Sequence, residues 1–485
     1  MIFSTPLFLV FFTLVFLVYW FVLGNINDNN KMLKARIIFL LLASYYFYMS
    51  WNPIFILLIL FSTVVDYFAG KKIHKSESQK QKKFFLVLSL VTNLGFLAYF
   101  KYTNFFLDSI NSVSGLVSET GTNFFMDIVL PVGISFYTFQ SMCYTIDIYY
   151  GKMKPSKDFF EFALYVTFFP QLVAGPIVRA KDFIPQLKEN RLFSNINFQL
   201  ATNYFLLGLF KKVVIADNIA PISDALFAAP EQYGTIASWI GVIAYSIQIY
   251  CDFSGYSDMA IGVAALLGFK LMENFNMPYG STSITEFWRK WHISLSSWLR
   301  DYLFIPLGGS RVSKKIFYYK NLMLTMLLGG LWHGASWNFV VWGGLHGLAL
   351  IVHKLYKTKY SDNYTFSKPV KRLYTTLSWL LTMVFIMVTW VFFRAQTFGT
   401  AAQVLKNMFT VKGDVNYSIP LGVIILFAIT FIGHVLGEKY FYKVEGDQKH
   451  IFKRPYFQGA LFGIIIFAVL LFGSDDNQAF IYFQF

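Results

Sequence analysis

Two histidines stand apart from the other five in this sequence. His333 lies in a glycine-rich apolar stretch, LLGGLWHGASWNFVVWGGLHG, and His292 lies 41 positions earlier in FWRKWHISLSSWLRDYLF. An ionisable residue in an apolar segment is costly and suggests a function. An imidazole, whose pKa is about 6.5 in water, can accept a proton near neutral pH. The sequence leaves a structural and a catalytic role open for each, and together they indicate a polar chamber that contains a general base.

The residues around these histidines do not indicate a metal site. The chain has neither an HExxH nor a CxxC pattern, which zinc sites often show, and no Walker loop or GxSxG elbow. Its two cysteines, Cys143 and Cys251, lie near apolar segments. Either thiol could accept an acyl group, but no nearby cation would lower its pKa, so we expect both to be buried and inert.

The composition indicates an integral membrane protein. Of the 485 residues, 56% are hydrophobic and 14% are charged, and the mean hydropathy is +0.50. Soluble domains have about 25% charged residues. Apolar segments recur throughout, so we expect a single all-α polytopic membrane domain over 1–485 with about eleven crossings.

The net charge of +15 could suggest that the protein binds nucleic acid. However, the basic residues lie in short loops between spans, which favours membrane lipids as the partner.

Broken segments are expected to position the histidines. The stretch 321–352 has basic loops on both sides, so it must enter the membrane and return, or cross twice with short helices. Its glycines predict a turn near His333, and non-helical backbone at membrane depth is tolerated only inside protein or beside a water-filled cavity. A similar break is expected within 159–191, at Pro170 and at Gly175.

The segment around His292 is predicted to be a helix at the membrane interface. Ser283 to Glu286 forms a capping-box pattern. After it, Trp288, His292, Leu295 and Leu299 follow helical spacing and would share one face of a continuous amphipathic helix.

Four segments resemble the membrane-bound O-acyltransferase family, in particular its bacterial branch typified by alginate O-acetyltransferase. They are FFPQLVAGPIVR at 168–179, YCDFSGYSDMAIG at 250–262, FWRKWHISLSSWLRDYLFIPLGGSR at 287–311 and LLGGLWHGASWNFVVWGGLHG at 327–347. The resemblance covers nearly the whole chain. It implies a ring of transmembrane helices and re-entrant or interfacial helices around a central tunnel. The core motifs would occupy 128–352, and C-terminal spans with an outer-side tail would occupy 376–485.

The resemblance also implies an activity and a location. Such an enzyme lies in the bacterial cytoplasmic (inner) membrane and takes an acetyl group from a cytoplasmic thioester, acetyl-CoA, without a permanently bound cofactor. The acetyl group then reaches an envelope polysaccharide, such as alginate or peptidoglycan, through an outer-side partner that resembles an acetyltransferase or esterase. The two family histidines correspond to His333, as general base, and His292, which would orient a substrate or relay a proton.

Further residues are weaker candidates for the site. Trp332, Asn338 and Asp252 could line the tunnel, although Asp252 could instead cap or pack a helix. Cytoplasmic cations could attract the anionic end of acetyl-CoA. The candidate cations are Arg289, Lys290, Arg311 and Lys314.

Two other functions remain open from the sequence. One is D-alanyl transfer to teichoic acid from a carrier-protein thioester, and the other is transport of a polysaccharide or lipid without acyl chemistry.

The C-terminal segment FIYFQF has two interpretations. Its aromatic residues could anchor the segment at the interface or dock a partner. Alternatively, the Tyr482 hydroxyl could accept the acyl group, with His333 as the base, and carry it outward.

Overall fold

The computed structural model describes residues 1–117, 125–361, 367–411, 413, 419–440, 455–473 and 480–481. Within these ranges every regular element is a helix. The chain divides into two compact units, the first made of 1–205 and 259–272 and the second of 206–258 and 273–485.

The first unit begins with long apolar helices. Four stretches in it are long and apolar enough to cross a membrane, namely 6–25, 29–49, 53–75 and 79–112. The helices are α1 (Pro6–Leu17), α2 (Asn29–Met49), α3 (Ile56–Lys75), α4 (Gln79–Leu97), α5 (Thr103–Val117), α6 (Ile134–Tyr149), α7 (Phe159–Thr167), α8 (Phe169–Leu172), α9 (Ala180–Phe183) and α10 (Phe198–Leu209), whose last turn belongs to the second unit.

A buried carboxylate ties three of these helices together. Asp66 of α3 is fully buried and accepts hydrogen bonds from Ser89 and Asn93 of α4, at 2.6 Å and 2.8 Å. Ser89 in turn contacts the Thr145 hydroxyl of α6 at 2.8 Å. Polar groups in an apolar core must be partnered in this way, because an unpartnered one costs several kcal/mol.

The predicted break within 159–191 is confirmed, since α7, α8 and α9 are short and separated by non-helical, buried residues.

The second unit contains both candidate histidines. Two of its stretches, 337–360 and 368–394, could cross a membrane, and so could 235–266, whose residues 259–266 belong to the first unit. Two shorter apolar helices comprise 421–437 and 459–472. The helices are α11 (Asp217–Ala228), α12 (Thr235–Leu266), α13 (Ile284–Lys290), α14 (Ile293–Leu299), α15 (Lys315–His333), α16 (Trp337–Tyr356), α17 (Lys368–Arg394), α18 (Phe398–Phe409), α19 (Leu421–Tyr440) and α20 (Pro455–Phe472). Two π-helical segments matter below, Phe210–Ala216 and Arg300–Phe304.

The all-α, multi-pass membrane architecture expected from the sequence is confirmed. Seven stretches of the described residues are long and apolar enough to span, against an expected total of about eleven crossings. The two apolar runs 235–251 and 256–272 are not separate spans in the structure. Residues 235–266 form one helix of 32 residues. Gly255 does not break it but lets the backbone of 208–212 approach, since a Cβ at this position would lie 2.7 Å from the Gly208 carbonyl oxygen.

Helices α15 and α16 form a tight hairpin whose turn follows His333 directly, as the glycine pattern predicted. The turn comprises Gly334 to Ser336, and the Ser336 hydroxyl caps α16 by accepting from the Asn338 amide. Gly330 and Gly343 face each other where the two helices cross, and a Cβ on Gly330 would lie 3.2 Å from the Gly343 Cα. Small residues at such a crossing allow backbone contact.

The crossing yields a paired prediction. Gly343→Ala should destabilise the protein by about 1–3 kcal/mol, because the new methyl group would collide with the Met326 carbonyl group. The adjacent Gly344→Ala is the control, since its methyl group would meet nothing closer than Leu327 at 3.6 Å and alanine favours a helix. Thermal unfolding of both purified variants in detergent tests this, and equal melting temperatures would contradict the close crossing.

Candidate active site

The backbone at His292 interrupts a helix that the sequence pattern made continuous. Helix α13 starts as predicted, with the Ser283 hydroxyl accepting from the Glu286 amide at 3.2 Å. It ends at Lys290, and α14 begins only at Ile293. The prediction of one amphipathic helix, with Trp288 and His292 on one face, is therefore wrong. Periodicity could not show the break, because Trp291 and His292 are both compatible with a helix.

His292 adopts a left-handed conformation that is rare for a residue with a side chain. Its φ and ψ are 43° and 56°, and it precedes the first residue of α14. This conformation costs a non-glycine residue roughly 1–2 kcal/mol. Such strain persists only where the surroundings hold it, and it is concentrated at functional sites.

Asn274 holds the strained segment in place. Its carbonyl Oδ1 accepts from the Ser294 amide at 3.2 Å and the Ser294 hydroxyl at 2.8 Å, and it lies 3.1 Å from His292 Nδ1. The Ser294 backbone donor identifies this atom as the oxygen, so His292 Nδ1 must carry the hydrogen. On the other side, Asn274 Nδ2 donates to the Ser257 hydroxyl at 3.2 Å. The tautomer of His292 is thereby fixed, with the lone pair on Nε2.

His292 is neutral at physiological pH. It is fully buried and lies outside the candidate spans, and burial lowers its pKa to about 3. Removing a charged imidazolium from water is unfavourable, so the neutral ring is preferred. His292 therefore acts through the hydrogen on Nδ1 and the lone pair on Nε2, not as a cation.

His333 ends α15 inside a box of aromatic rings. Its imidazole lies 5.0 Å from Trp332, 5.1 Å from Trp342 and 5.2 Å from Phe393, measured between ring centroids, and each pair is close to edge-to-face. All four side chains are buried, with at most 4% of their surface exposed. Close aromatic contacts of this kind restrict the ring to one orientation.

The structure brings the two candidate histidines together. The His292 and His333 rings are 6.3 Å apart between centroids, and Trp332 lies beside both. Four elements meet here, namely the α13–α14 break, the end of α15, the start of α16 and the end of α17.

His346, one α16 turn beyond Trp342, differs from His292 and His333 in its contacts. It accepts from Trp288 Nε1 at 3.2 Å and contacts the Thr389 hydroxyl at 3.1 Å, as expected for a structural histidine.

Asp252 and Asn338 are both buried near this site, and each has a definite partner. Asn338 donates to the Ala395 carbonyl at 2.8 Å and so ties the start of α16 to the end of α17. Asp252 does not cap a helix, because it lies in the middle of α12. Its carboxylate pairs with Lys212 at 2.7 Å, and the adjacent Phe253 ring lies 4.7 Å from that of His292.

The candidate cations are either exposed or paired with an acidic side chain. Arg289 is exposed on α13, and Lys290 pairs with Glu286 at 2.9 Å on the same helix. Arg311 and Lys314 are exposed in the segment before α15.

Tyr482 lies outside the described residues, whereas the two residues before it, Phe480 and Ile481, are described. Phe480 and Ile481 are buried against Phe253 and Asp252.

Several residues of the site were not identified from the sequence. Asn274 lies 18 positions before His292 in a polar loop, and nothing in its local pattern indicates that it binds the imidazole. Lys212, Trp342 and Phe393 lie in apolar stretches of the sequence, whose local pattern does not indicate a role for them. Their contribution depends on the meeting of distant helices, which periodicity does not show.

Comparison with known proteins identifies the family. The profile of the membrane-bound O-acyltransferase family matches residues 155–395, a range that contains both histidines. The chain is 40% identical over 439 residues to the peptidoglycan O-acetyltransferase of Helicobacter pylori, covering 85% of this chain and 80% of that protein. The chain belongs to the membrane-bound O-acyltransferase family.

Other members of this family show how widely the similarity extends. The probable alginate O-acetylase of Pseudomonas aeruginosa is 41% identical over 413 residues, which cover 84% of this chain and 75% of that protein. The teichoic acid D-alanyltransferase of Bacillus subtilis is 26% identical over 284 residues, covering 56% and 70%. This membrane-bound O-acyltransferase is therefore an enzyme, and its relatives of higher identity are named for transfer of acetyl groups to oxygen.

The left-handed backbone at His292 gives a prediction that is independent of catalysis. His292→Gly should be more stable than His292→Ala by about 1 kcal/mol, because both remove the imidazole and only alanine retains the left-handed penalty. At an ordinary helical position the order is reversed, with glycine the less stable by roughly 0.5–1 kcal/mol. Thermal unfolding of the two variants in the same detergent decides the order, and a more stable alanine variant would contradict the strain.

Proposed function

We propose that this membrane O-acyltransferase takes an acetyl group from acetyl-CoA at the cytoplasmic side of a bacterial inner membrane and supplies it for O-acetylation of an envelope polysaccharide. The observation that carries the proposal is the buried pair of His292 and His333, 6.3 Å apart between ring centroids, in a chain about 40% identical to peptidoglycan and alginate O-acetylating relatives. An outer-side partner, an acetyltransferase or esterase-like protein, would place the group on the polymer.

His333 acts as the general base in this proposal. The acceptor hydroxyl gives its proton to the imidazole while its oxygen attacks the thioester carbonyl. The carbon–sulfur bond then breaks, and the imidazolium returns the proton to the coenzyme A thiolate, so charge and protons balance. A base of this kind contributes about 10²–10⁴-fold to the rate. The aromatic box supports the role, because it holds the ring in a fixed orientation and excludes bulk water.

His292 supports the transfer without changing charge. Its Nδ1–H is bound to Asn274, so the Nε2 lone pair can accept a hydrogen bond from a substrate or from a group that relays the proton. We assign it the positioning of donor or acceptor beside His333. The anionic end of acetyl-CoA would be attracted by the exposed cations Arg289, Arg311 and Lys314 and by Lys290.

Tyr482 is the acceptor that we propose for the first transfer. Its hydroxyl would take the acetyl group as an ester and later pass it to the outer partner. Support comes from the two residues before it, because Phe480 contacts Phe253, and the Phe253 ring lies against His292. A phenol has a pKa near 10 and needs a base, which His333 would provide.

The base assignment predicts that His333→Ala lowers polymer O-acetylation by about 10²-fold or more while the protein stays in the membrane at normal abundance. Acetate released from the envelope polymer by mild base measures the activity, and immunoblotting measures abundance. The exposed His74→Ala is the control, and it should behave as the unaltered protein. Normal acetylation in the His333 variant would exclude it as the base.

The carrier assignment predicts that Tyr482→Phe loses polymer acetylation to the level of His333→Ala, because the change removes only the hydroxyl oxygen. Mass spectrometry of the unaltered protein should also find one base-labile acetyl group on the peptide that contains Tyr482. Tyr456→Phe, at an exposed tyrosine of α20, is the matched control. Full activity in the Tyr482 variant would leave only the anchoring interpretation of the segment.

D-alanyl transfer to teichoic acid is the second candidate, since the teichoic acid D-alanyltransferase of Bacillus subtilis aligns with over half of the chain. The two functions differ in the acyl group that reaches the polymer. Mass analysis of the groups released from a deletion strain and its parent separates them, because one function yields acetate and the other yields D-alanine.

A further inference from the structure

Phe480 and Ile481, the described part of the C-terminal tail, pack against other residues of the second unit. The Phe480 side chain is completely buried, and Ile481 is 3% exposed. The Phe480 ring lies 4.9 Å from Tyr256 and 5.8 Å from Phe253, between centroids, so two residues one α12 turn apart receive it. The Phe480 ring therefore packs on an aromatic face of α12.

A hydrogen bond to a carboxylate holds the Ile481 backbone beside this aromatic face of α12. The Ile481 amide donates to Asp252 Oδ2 at 2.7 Å, and the other oxygen of Asp252 pairs with Lys212 at 2.7 Å. Lys212 also pairs with Asp217 at 2.8 Å, and no more than 8% of any of these three side chains is exposed. Two carboxylates thus share one ammonium group, and the excess negative charge favours a further donor. A hydrogen bond to a buried charge contributes about 1.5–3 kcal/mol.

The cluster of Lys212, Asp217 and Asp252 is itself fixed to the helix that precedes the tail. Lys212 lies in the π-helical segment Phe210–Ala216, and Asp217 follows that segment directly. The next residue, Asn218, donates to the Phe472 carbonyl at the end of α20 at 3.2 Å. Both α20 and the 480–481 segment are therefore held by residues 212–218 and the facing turn of α12.

We propose that Asp252 is a positioning residue, which anchors the Ile481 backbone and thereby holds the 480–481 segment beside Phe253, whose ring also contacts His292. Phe253 links the two, because its ring contacts those of both Phe480 and His292. The anchoring of Ile481 by Asp252 is inferred from the geometry alone. Only its consequence for acetyl transfer rests on the proposed function of Tyr482.

The chain contains a matched control for this role. Asp258 lies on the same helix, with 15% of its side chain exposed, and pairs at 2.6 Å with Lys211, which is next to Lys212 in sequence. It is a carboxylate like Asp252 but accepts from Lys211, and among the described residues the Ile481 amide donates to Asp252 instead. If Asp252 only stabilised the fold through its ion pair, replacing either aspartate would have similar effects.

Hydrogen exchange of the full chain in lipid nanodiscs tests the anchor directly. In Asp252→Asn, the Ile481 amide should exchange at least about tenfold faster than in the unaltered protein, because its charged acceptor is lost. In Asp258→Asn it should stay protected. Unchanged exchange in the Asp252 variant, or equal acceleration in both variants, would overturn the proposal.

A second pair of variants leaves the buried ions intact. Ile481→Pro removes the amide hydrogen, whereas Ile481→Val keeps it. Polymer acetylation should fall at least about tenfold in the proline variant and stay within about twofold of normal in the valine variant. Full acetylation in Ile481→Pro would overturn the positioning role. Loss of protection in Asp252→Asn, combined with full activity in Tyr482→Phe, would support the anchor and contradict only the carrier role.

Discussion

The hydrogen bond between Asn274 and His292 is the interaction on which the site depends. It fixes the tautomer of a buried neutral imidazole, and with the two Ser294 donors it holds a backbone conformation that the chain would otherwise avoid. Without this break, α13 and α14 would form one helix, and the His292 ring would be directed by the helical repeat. The strain at one residue therefore sets where the pair of histidines can form, and the glycine crossing of α15 and α16 sets the position of the other member.

Much of the architecture could be predicted from local patterns. Apolar length, basic loops and glycine content indicated the membrane class, the hairpin at His333 and the broken segment at 159–191. These features depend on the physics of short stretches, such as the cost of exposed backbone in lipid and the absence of a Cβ at a crossing. The start of α13 at Ser283 was predicted for the same reason, because capping involves residues within one turn.

The rest could not be predicted because it depends on contacts between distant residues. The helix is interrupted at His292 because Asn274 binds that segment. Helix α12 continues through Gly255, where the backbone of 208–212 packs against it. The sequence left Asp252 open between lining the tunnel and capping or packing a helix, whereas the structure pairs it with Lys212 from another segment. Each case joins residues that are far apart in sequence. The resemblance to a family indicated which histidines matter, but not the groups that orient them.

The bond between Ile481 and Asp252 also bears on how the protein is made. Its two partners are separated by 229 positions, whereas the α15–α16 hairpin joins neighbours in the chain. Local contacts form early during synthesis and distant ones form late. A nascent chain that has reached α18 already contains both histidines and the aromatic box, yet the carboxylate of Asp252 still lacks its backbone donor. The buried charge cluster therefore gains this backbone donor only after Ile481 has been synthesised, and a product that ends before this residue would leave the Asp252 carboxylate without it.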